Sequence, residues 1–188
     1  MDIKALFKIS YGLYVVSANE NGKDNGCIIN TFSQVTDTPL RVSVTVNKLN
    51  LTHDMIKNTG NFVVSVLSTS APFSAFQNFG FRSGKDADKF EGVRTRRCEN
   101  GVLRLDENTN AFVSGKVVEE VDLGTHTMFI ADVVEAEILS SEESVTYSYY
   151  QSHIKPKPEA PKVKKGWRCP ICGYVYEGET LPPDFICP

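Results

Sequence analysis

The chain has 188 residues, of which 41% are hydrophobic, and a formal net charge of −3. That suits one domain of about 150 residues with a small appendage, and the mixed, slightly acidic balance argues against a nucleic-acid partner, whose binding surfaces are usually basic. No run of about 18 apolar residues is present, so no membrane span is expected.

At the start, Lys8, Ser10 and Tyr11 interrupt the apolar stretch from residue 1 to 18. It is therefore not read as a secretory leader, and a cytoplasmic chain is expected. Tyr11 to Ala18 fits a strand. Asn19-Glu20-Asn21-Gly22 is a hairpin turn by composition. Cys27 to Gln34 reads as a second strand, and Thr36-Asp37-Thr38-Pro39 as another turn. In Arg41 to Val46, Val42, Val44 and Val46 alternate with Arg41, Ser43 and Thr45. That period of two marks a half-buried strand.

Asn50 to Asn58 reads as a short helix. Thr52 is expected to cap it, Met55 and Ile56 to face inward, and Gly60 to stop it. Asn61 to Leu67 returns to strand. Ser70-Ala71-Pro72 opens a second helix, since proline in a first turn lacks only a hydrogen that has no partner there. Phe73, Phe76 and Phe79 follow at spacing three and are expected to fill a core or an interface. The polar, glycine-broken stretch from Phe81 to Phe90 reads as a loop whose basic and hydroxyl groups can hold an anion. Ala111 to Glu120 and Thr125 to Ile138 are long strands turning at Asp122-Leu123-Gly124. Many strands with few helices argue for a closed or nearly closed antiparallel barrel, because closure removes unpaired edges.

Lys155 to Lys165 carries three prolines and five lysines against one glutamate, a net charge of +4. It is expected to be an extended linker. The organisation is therefore a body over 1–153, a linker over 154–165 and a terminal module over 166–188. Three of the five cysteines, Cys169, Cys172 and Cys187, fall in that module. Cys27 and Cys98 stand apart and read as buried thiols in a reducing compartment. A two-residue gap lets Cys169 and Cys172 face one centre, and thiolate suits zinc and iron alike. No dinucleotide-binding glycine fingerprint or phosphate-binding loop is present, and His53, His126 and His153 are too scattered in sequence to define a site by spacing.

Gly166-Trp167-Arg168-Cys169-Pro170-Ile171-Cys172-Gly173-Tyr174-Val175-Tyr176 and Pro182-Pro183-Asp184-Phe185-Ile186-Cys187-Pro188 resemble rubredoxin. The resemblance implies one iron ion on four thiolates, with Trp167, Tyr174, Tyr176 and Phe185 as a small aromatic core. Rubredoxin would continue past Pro188 to a fourth cysteine, so the expectation is a metal site cut before its last ligand. Without metal, the module is expected to be partly disordered.

Residues 1–153 resemble the flavin reductase-like family. The resemblance rests on Tyr11 to Val16, Asn25-Gly26-Cys27 through Ser33, Val44 to Lys48, Thr52 to Ile56, Ser83-Gly84 with Asp88-Lys89-Phe90, and Asp122 to Thr127. It implies a mainly β fold, an FMN-binding split barrel, in a homodimer. The two parts in this order resemble the high-molecular-weight rubredoxins of anaerobic bacteria. By that resemblance Asn30, Thr31 and Ser33 meet the flavin edge, and Asn47, Lys48 and Thr52 its phosphate side. Ser83 and Lys89 approach FMN from the loop, Tyr150 with Tyr147 and Tyr149 covers it, and His126 positions the donor. The implied function carries electrons from NAD(P)H through FMN to iron, and on to an acceptor such as a flavodiiron oxygen or nitric oxide reductase. The alternative is a flavin reductase acting on free flavin or another small acceptor, with a tail that is non-functional or zinc-bound. A zinc-ribbon interaction module on a non-enzymatic barrel is the structural reading.

Overall fold

The computed structural model describes residues 1–157, 166–171, 173–176, 182–183 and 185–186. The chain divides into two compact units, Met1–Lys155 and Pro156–Pro188.

In the first unit a 3-10 helix, Ile3–Lys8, precedes β1 (Tyr14–Glu20). β1 turns directly into β2 (Lys23–Ile29), with Glu20 opposite Lys23. The two loop residues, Asn21 and Gly22, have φ of 53° and 80°. Such a turn matches the twist of a hairpin, and Asn-Gly is the pair that tolerates two positive φ angles in succession.

Instead of one strand over Cys27–Gln34, the chain breaks at Asn30-Thr31 and resumes as β3 (Phe32–Asp37). The cause is a change of ladder partner. β2 pairs with β1, whereas Thr31 turns to β4 (Leu40–Asn47), its carbonyl accepting from Thr45 N–H at 3.0 Å and its hydroxyl donating to Thr45 O at 2.6 Å. Val42, Val44 and Val46 of β4 are buried, as their alternation requires.

Helix α1 (Leu51–Thr59) buries Met55 and Ile56, and Gly60 N–H closes it onto Ile56 O at 2.8 Å. The residue at its N-cap is Asn50, not Thr52. Thr52 lies inside the first turn and points into the protein, where a buried hydroxyl needs a partner of its own. β5 (Asn61–Leu67) follows, then α2 (Phe73–Phe81) with Pro72 at the N-cap and Phe76 and Phe79 buried. The sequence reading missed β6 (Thr95–Arg97) and β7 (Leu103–Leu105), a small hairpin that precedes β8 (Thr109–Asp122) and β9 (His126–Ile138). A helical turn, Tyr147–Tyr149, continues as a π turn over Tyr150–Ile154.

Seven strands form one antiparallel sheet in the order β2-β1-β5-β8-β9-β4-β3. The edges β2 and β3 follow one another in sequence, and no ladder joins them among the described residues. Of the closed or nearly closed barrel expected, the closed form is therefore not seen among the described residues, and the sheet is open. Its two ends still approach, since the rings of Tyr14 on β1 and Phe32 on β3 meet edge-on at 5.2 Å. The inner face is filled by Val16, Val44, Val46, Phe62, Val64 and Phe129, with Met55 and Ile56 of α1 as the plug. Each such side chain contributes about 1.5–3 kcal/mol by leaving water. A second cluster, including Val15, Leu67, Phe76, Phe79 and Phe90, packs α2 on the outer face.

In the second unit, β10 (Trp167–Arg168) and β11 (Val175–Tyr176) form a hairpin. Its turn is tied by Cys169 N–H to Tyr174 O at 2.8 Å and by Gly173 N–H to Cys169 O at 3.0 Å. Phe185 meets Tyr176 at 4.8 Å and Tyr174 at 6.2 Å. Trp167, expected in the same aromatic core, is 55% exposed.

Candidate functional site

The break between β2 and β3 opens onto a cleft of about 560 Å³ lined by Leu6, Ile9, Ser10, Tyr11, Asn30, Tyr147, Ser148 and Gln151. Asn30 reaches it because Asn30-Thr31 belongs to neither strand, which frees the side chain from the in–out alternation of the sheet. Thr31 is held to β4 by its hydroxyl, and Ser33 Oγ lies 3.3 Å from Ser43 Oγ across the same ladder. Apolar walls, two tyrosines and an amide with hydroxyls at the rim suit a flat heteroaromatic ring with a polar edge.

The end of β4 and the start of α1 form a second region. Asn47 stands opposite His126 in the β4–β9 ladder and accepts from Leu49 N–H through Oδ1 at 2.9 Å. Lys48 donates its backbone N–H to Thr125 O and its ammonium to Asp122 at 2.7 Å. That ammonium, together with Gly124 N–H, holds the Asp122 carboxyl below its usual range. A neighbouring cleft of about 410 Å³ is lined by Lys48, His53, Asp54, Lys57, Glu120, Asp122 and Thr127. His53 spans its floor, with Nδ1 2.8 Å from Asp54 Oδ1 and Nε2 2.9 Å from Thr127 Oγ1. His126 is half-buried, its Nδ1 2.9 Å from Thr125 Oγ1. Lys48 stands beside the N-terminus of α1 and Lys57 in its last turn, each paired with a carboxylate, Asp122 and Glu120 respectively.

The third region is the loop after α2. Ser83 is exposed, and its hydroxyl accepts from Lys85 N–H at 3.1 Å. Lys89, which the family resemblance set near FMN, turns inward instead. It is 4% exposed and donates to Gly26 O at 3.0 Å and Phe79 O at 3.2 Å. Burial pushes its ammonium below the usual lysine range. Thr52, read as a phosphate ligand, is also inside, at 0% exposure, and accepts from Asn25 Nδ2 at 2.9 Å. Tyr150 packs against Phe76 at 4.7 Å, whereas Tyr147 lines the first cleft. Burial raises the Cys27 thiol, opposed by a hydrogen bond with Thr52, the Lys89 charge and Asn50.

The structure therefore brings Asn30 to one cleft, sets Asn47, Lys48 and His126 around the β4–β9 end, and draws Thr52, Lys89 and Tyr150 into the interior. Tyr11 also lines the first cleft, and His53 and Thr127 the second, while Asn25 is buried away from both. A polar residue on a strand that is otherwise buried is the sequence signal that could have pointed to Asn25.

In the second unit, Cys169 sits half-buried at the hairpin turn, while Cys172 and Cys187 lie outside the described residues. Among the described residues, no group of three or more His, Cys, Asp or Glu is placed to hold a metal ion.

Comparison with known proteins adds four likenesses. The flavin reductase like domain matches residues 6–157. The whole chain is 36% identical, over 218 aligned positions and 95% of that protein, to the high molecular weight rubredoxin of Moorella thermoacetica. Over 86% of the chain and 95% of that protein, it is 41% identical to the ferric-chelate reductase (NAD(P)H) of Archaeoglobus fulgidus. In fold, it resembles the NADH:FAD oxidoreductase SgcE6 of Streptomyces globisporus in complex with NAD and FAD fragments. The TM-score is 0.70 at 22% identity, covering 85% of this chain and 92% of that one.

Proposed function

The chain belongs to the flavin reductase-like family, and on that premise we propose that residues 1–155 hold FMN and pass electrons from NAD(P)H to a small acceptor. The acceptor class is free flavin or a chelated metal ion. The cleft at the β2–β3 break carries this reading, because it lies within the family match and its residue set suits a flavin ring. When bound, the flavin takes two electrons from a nicotinamide and releases them singly or in pairs.

The protein's part is binding and orientation. The Asn30 amide offers a neutral donor and acceptor to the polar ring edge. Leu6, Ile9, Tyr11 and Tyr147 keep water from the ring faces. Lys48, beside the start of α1, takes the phosphate, exchanging its present partner Asp122 for it. His126, with Nδ1 engaged by Thr125, orients the nicotinamide donor through its other nitrogen. It is not needed as a base, because hydride transfer moves no separate proton. Two copies of the chain form the working unit.

A second reading extends the route to a rubredoxin-type iron centre held by Cys169, Cys172 and Cys187 with a fourth ligand, and then to a flavodiiron-type reductase. Likeness to the Moorella protein along the whole chain favours it.

One optical experiment tests both. The protein is reconstituted with FMN and ferrous iron, desalted and titrated anaerobically with NADH. Bleaching of flavin bands, with reoxidation by ferric chelate and no iron–thiolate absorption, is the expected result for the first reading. Flavin and iron–thiolate bands bleaching together favour the second. A protein that retains no flavin overturns both.

A further inference from the structure

Three consecutive residues of β2 carry side-chain ties to two separate segments. Asn25, 2% exposed, donates through Nδ2 to Thr52 Oγ1 in the first turn of α1 at 2.9 Å. Its amide also presses on Gly84 of the loop after α2, so closely that a Cβ on Gly84 would overlap it. Gly26 O accepts from Lys89, at the other end of the same loop. Cys27 Sγ accepts from Nδ2 of Asn50, the N-cap residue of α1, at 3.6 Å. Among the described residues β2 is an edge strand paired with β1 alone, so these ties hold the loop and the helix start along its open edge.

We infer that Asn25 is a positioning residue that couples the loop over 82–91 to the first turn of α1, so that the loop and the helix start next to Lys48 hold their places as one unit. This rests on the flavin reading above for its functional consequence, but not for the coupling itself. The physical cause is the directionality of a buried amide. With Nδ2 bonded to Thr52 and the Oδ1 end packed on the Gly84 backbone, Asn25 admits one placement of Thr52 relative to Gly84. Without it, the Thr52 hydroxyl loses its donor in a dry environment and each segment can shift alone. Gly84 meets the same requirement from the loop side, since only a residue without a Cβ lets the loop backbone lie on the amide.

Amide hydrogen exchange of the flavin-free protein is the direct test, with FMN affinity by fluorescence titration as the second readout. Asn25→Ala is expected to raise exchange in both 82–91 and 50–53, with exchange in β5 unchanged. FMN binding should weaken about tenfold, within the usual range for coupling between sites. The KM for FMN should rise while kcat stays within about twofold, as for lost ground-state binding. Gly84→Ala should reproduce the loosening alone and add little to Asn25→Ala, because the overlap vanishes with the amide. Should Asn25→Ala fail to fold, Thr52→Val removes the acceptor at constant volume, and Thr52→Ser should restore wild-type exchange and affinity. Exchange rising in one segment only, or additive effects of Asn25→Ala and Gly84→Ala, overturns the coupling. Wild-type protein that binds no FMN overturns the flavin reading, and the exchange measurement still decides the coupling.

Discussion

β5 and β9 are both interior strands of the same sheet, yet they meet solvent differently. β5 is buried on both faces. Phe62 and Val64 enter the inner core, while Val63 on the other side packs with Cys98, Val102 and Phe112 beneath the β6–β7 hairpin. β9 buries Phe129 and Ala131 inside, but Met128, Ile130 and Val134 stay partly or fully open outside. Sheet position alone does not decide burial. What decides it is whether a later segment returns to cover the outer face, as α2 and β6–β7 do for β1 and β5. The register adds to the contrast. Ladder shifts leave Val35, Val118 and Val134 as extra residues on β3, β8 and β9, and all three valines are exposed.

The inner faces should be energetically alike despite this contrast. Phe62→Ala and Phe129→Ala each remove a fully buried ring from one core. Both are expected to cost about 3–5 kcal/mol, the transfer and cavity terms together. Urea unfolding of the two variants measures it. A cost below about 1 kcal/mol for Phe129→Ala would show that the open outer face lets β9 relax into the cavity, and the likeness of the two inner faces would fail.

Lys89 sharpens the covered side. Its ammonium ties Gly26 O on β2 to Phe79 O on α2 with no carboxylate partner among the described contacts. Lys89→Met should destabilise by roughly 1–3 kcal/mol at pH 7, because two carbonyls lose a buried donor. The pH dependence has a definite sign. Burial lowers the folded-state value below the ordinary lysine value of about 10.5. Between those two values the unfolded chain binds more protons, so native stability gains as pH rises through that window. The variant lacks this gain. The stability gap between wild type and Lys89→Met should therefore widen as pH climbs toward 10.5, and a gap that narrows in parallel unfolding series would contradict the assignment.

The contrast between strands also explains what the sequence discloses. Val42, Val44 and Val46 are legible because they alternate with polar residues and all three enter the inner core. α1 is legible through Met55, Ile56 and Gly60, since a helix end leaves chemical marks. The break at Asn30-Thr31 is not, because strand-favouring residues flank a single Asn and the change of ladder partner is a tertiary event. β6 and β7 are three residues each and rich in arginine, too short to show a period. At the site, Asn30 and Lys48 emerge from likeness to a family rather than from spacing. Thr52 and Lys89 mislead for a common reason. Each has a chemistry suited to an anion, and each spends it on an interior partner that only the fold supplies.

The open side predicts a small effect on stability and a larger one on association. Val134 is 47% exposed at a ladder shift of β9. Val134→Lys should change unfolding free energy by no more than about 0.5 kcal/mol, as for other surface positions without buried partners. If two copies of the chain meet over this uncovered stretch, the same substitution places a charge in an apolar contact and should lower the dimer fraction in sedimentation at fixed concentration. A dimer that persists unchanged would assign the contact to another face. A loss of more than about 2 kcal/mol in the monomer would instead mean that β9 is covered after all, and the contrast with β5 would collapse.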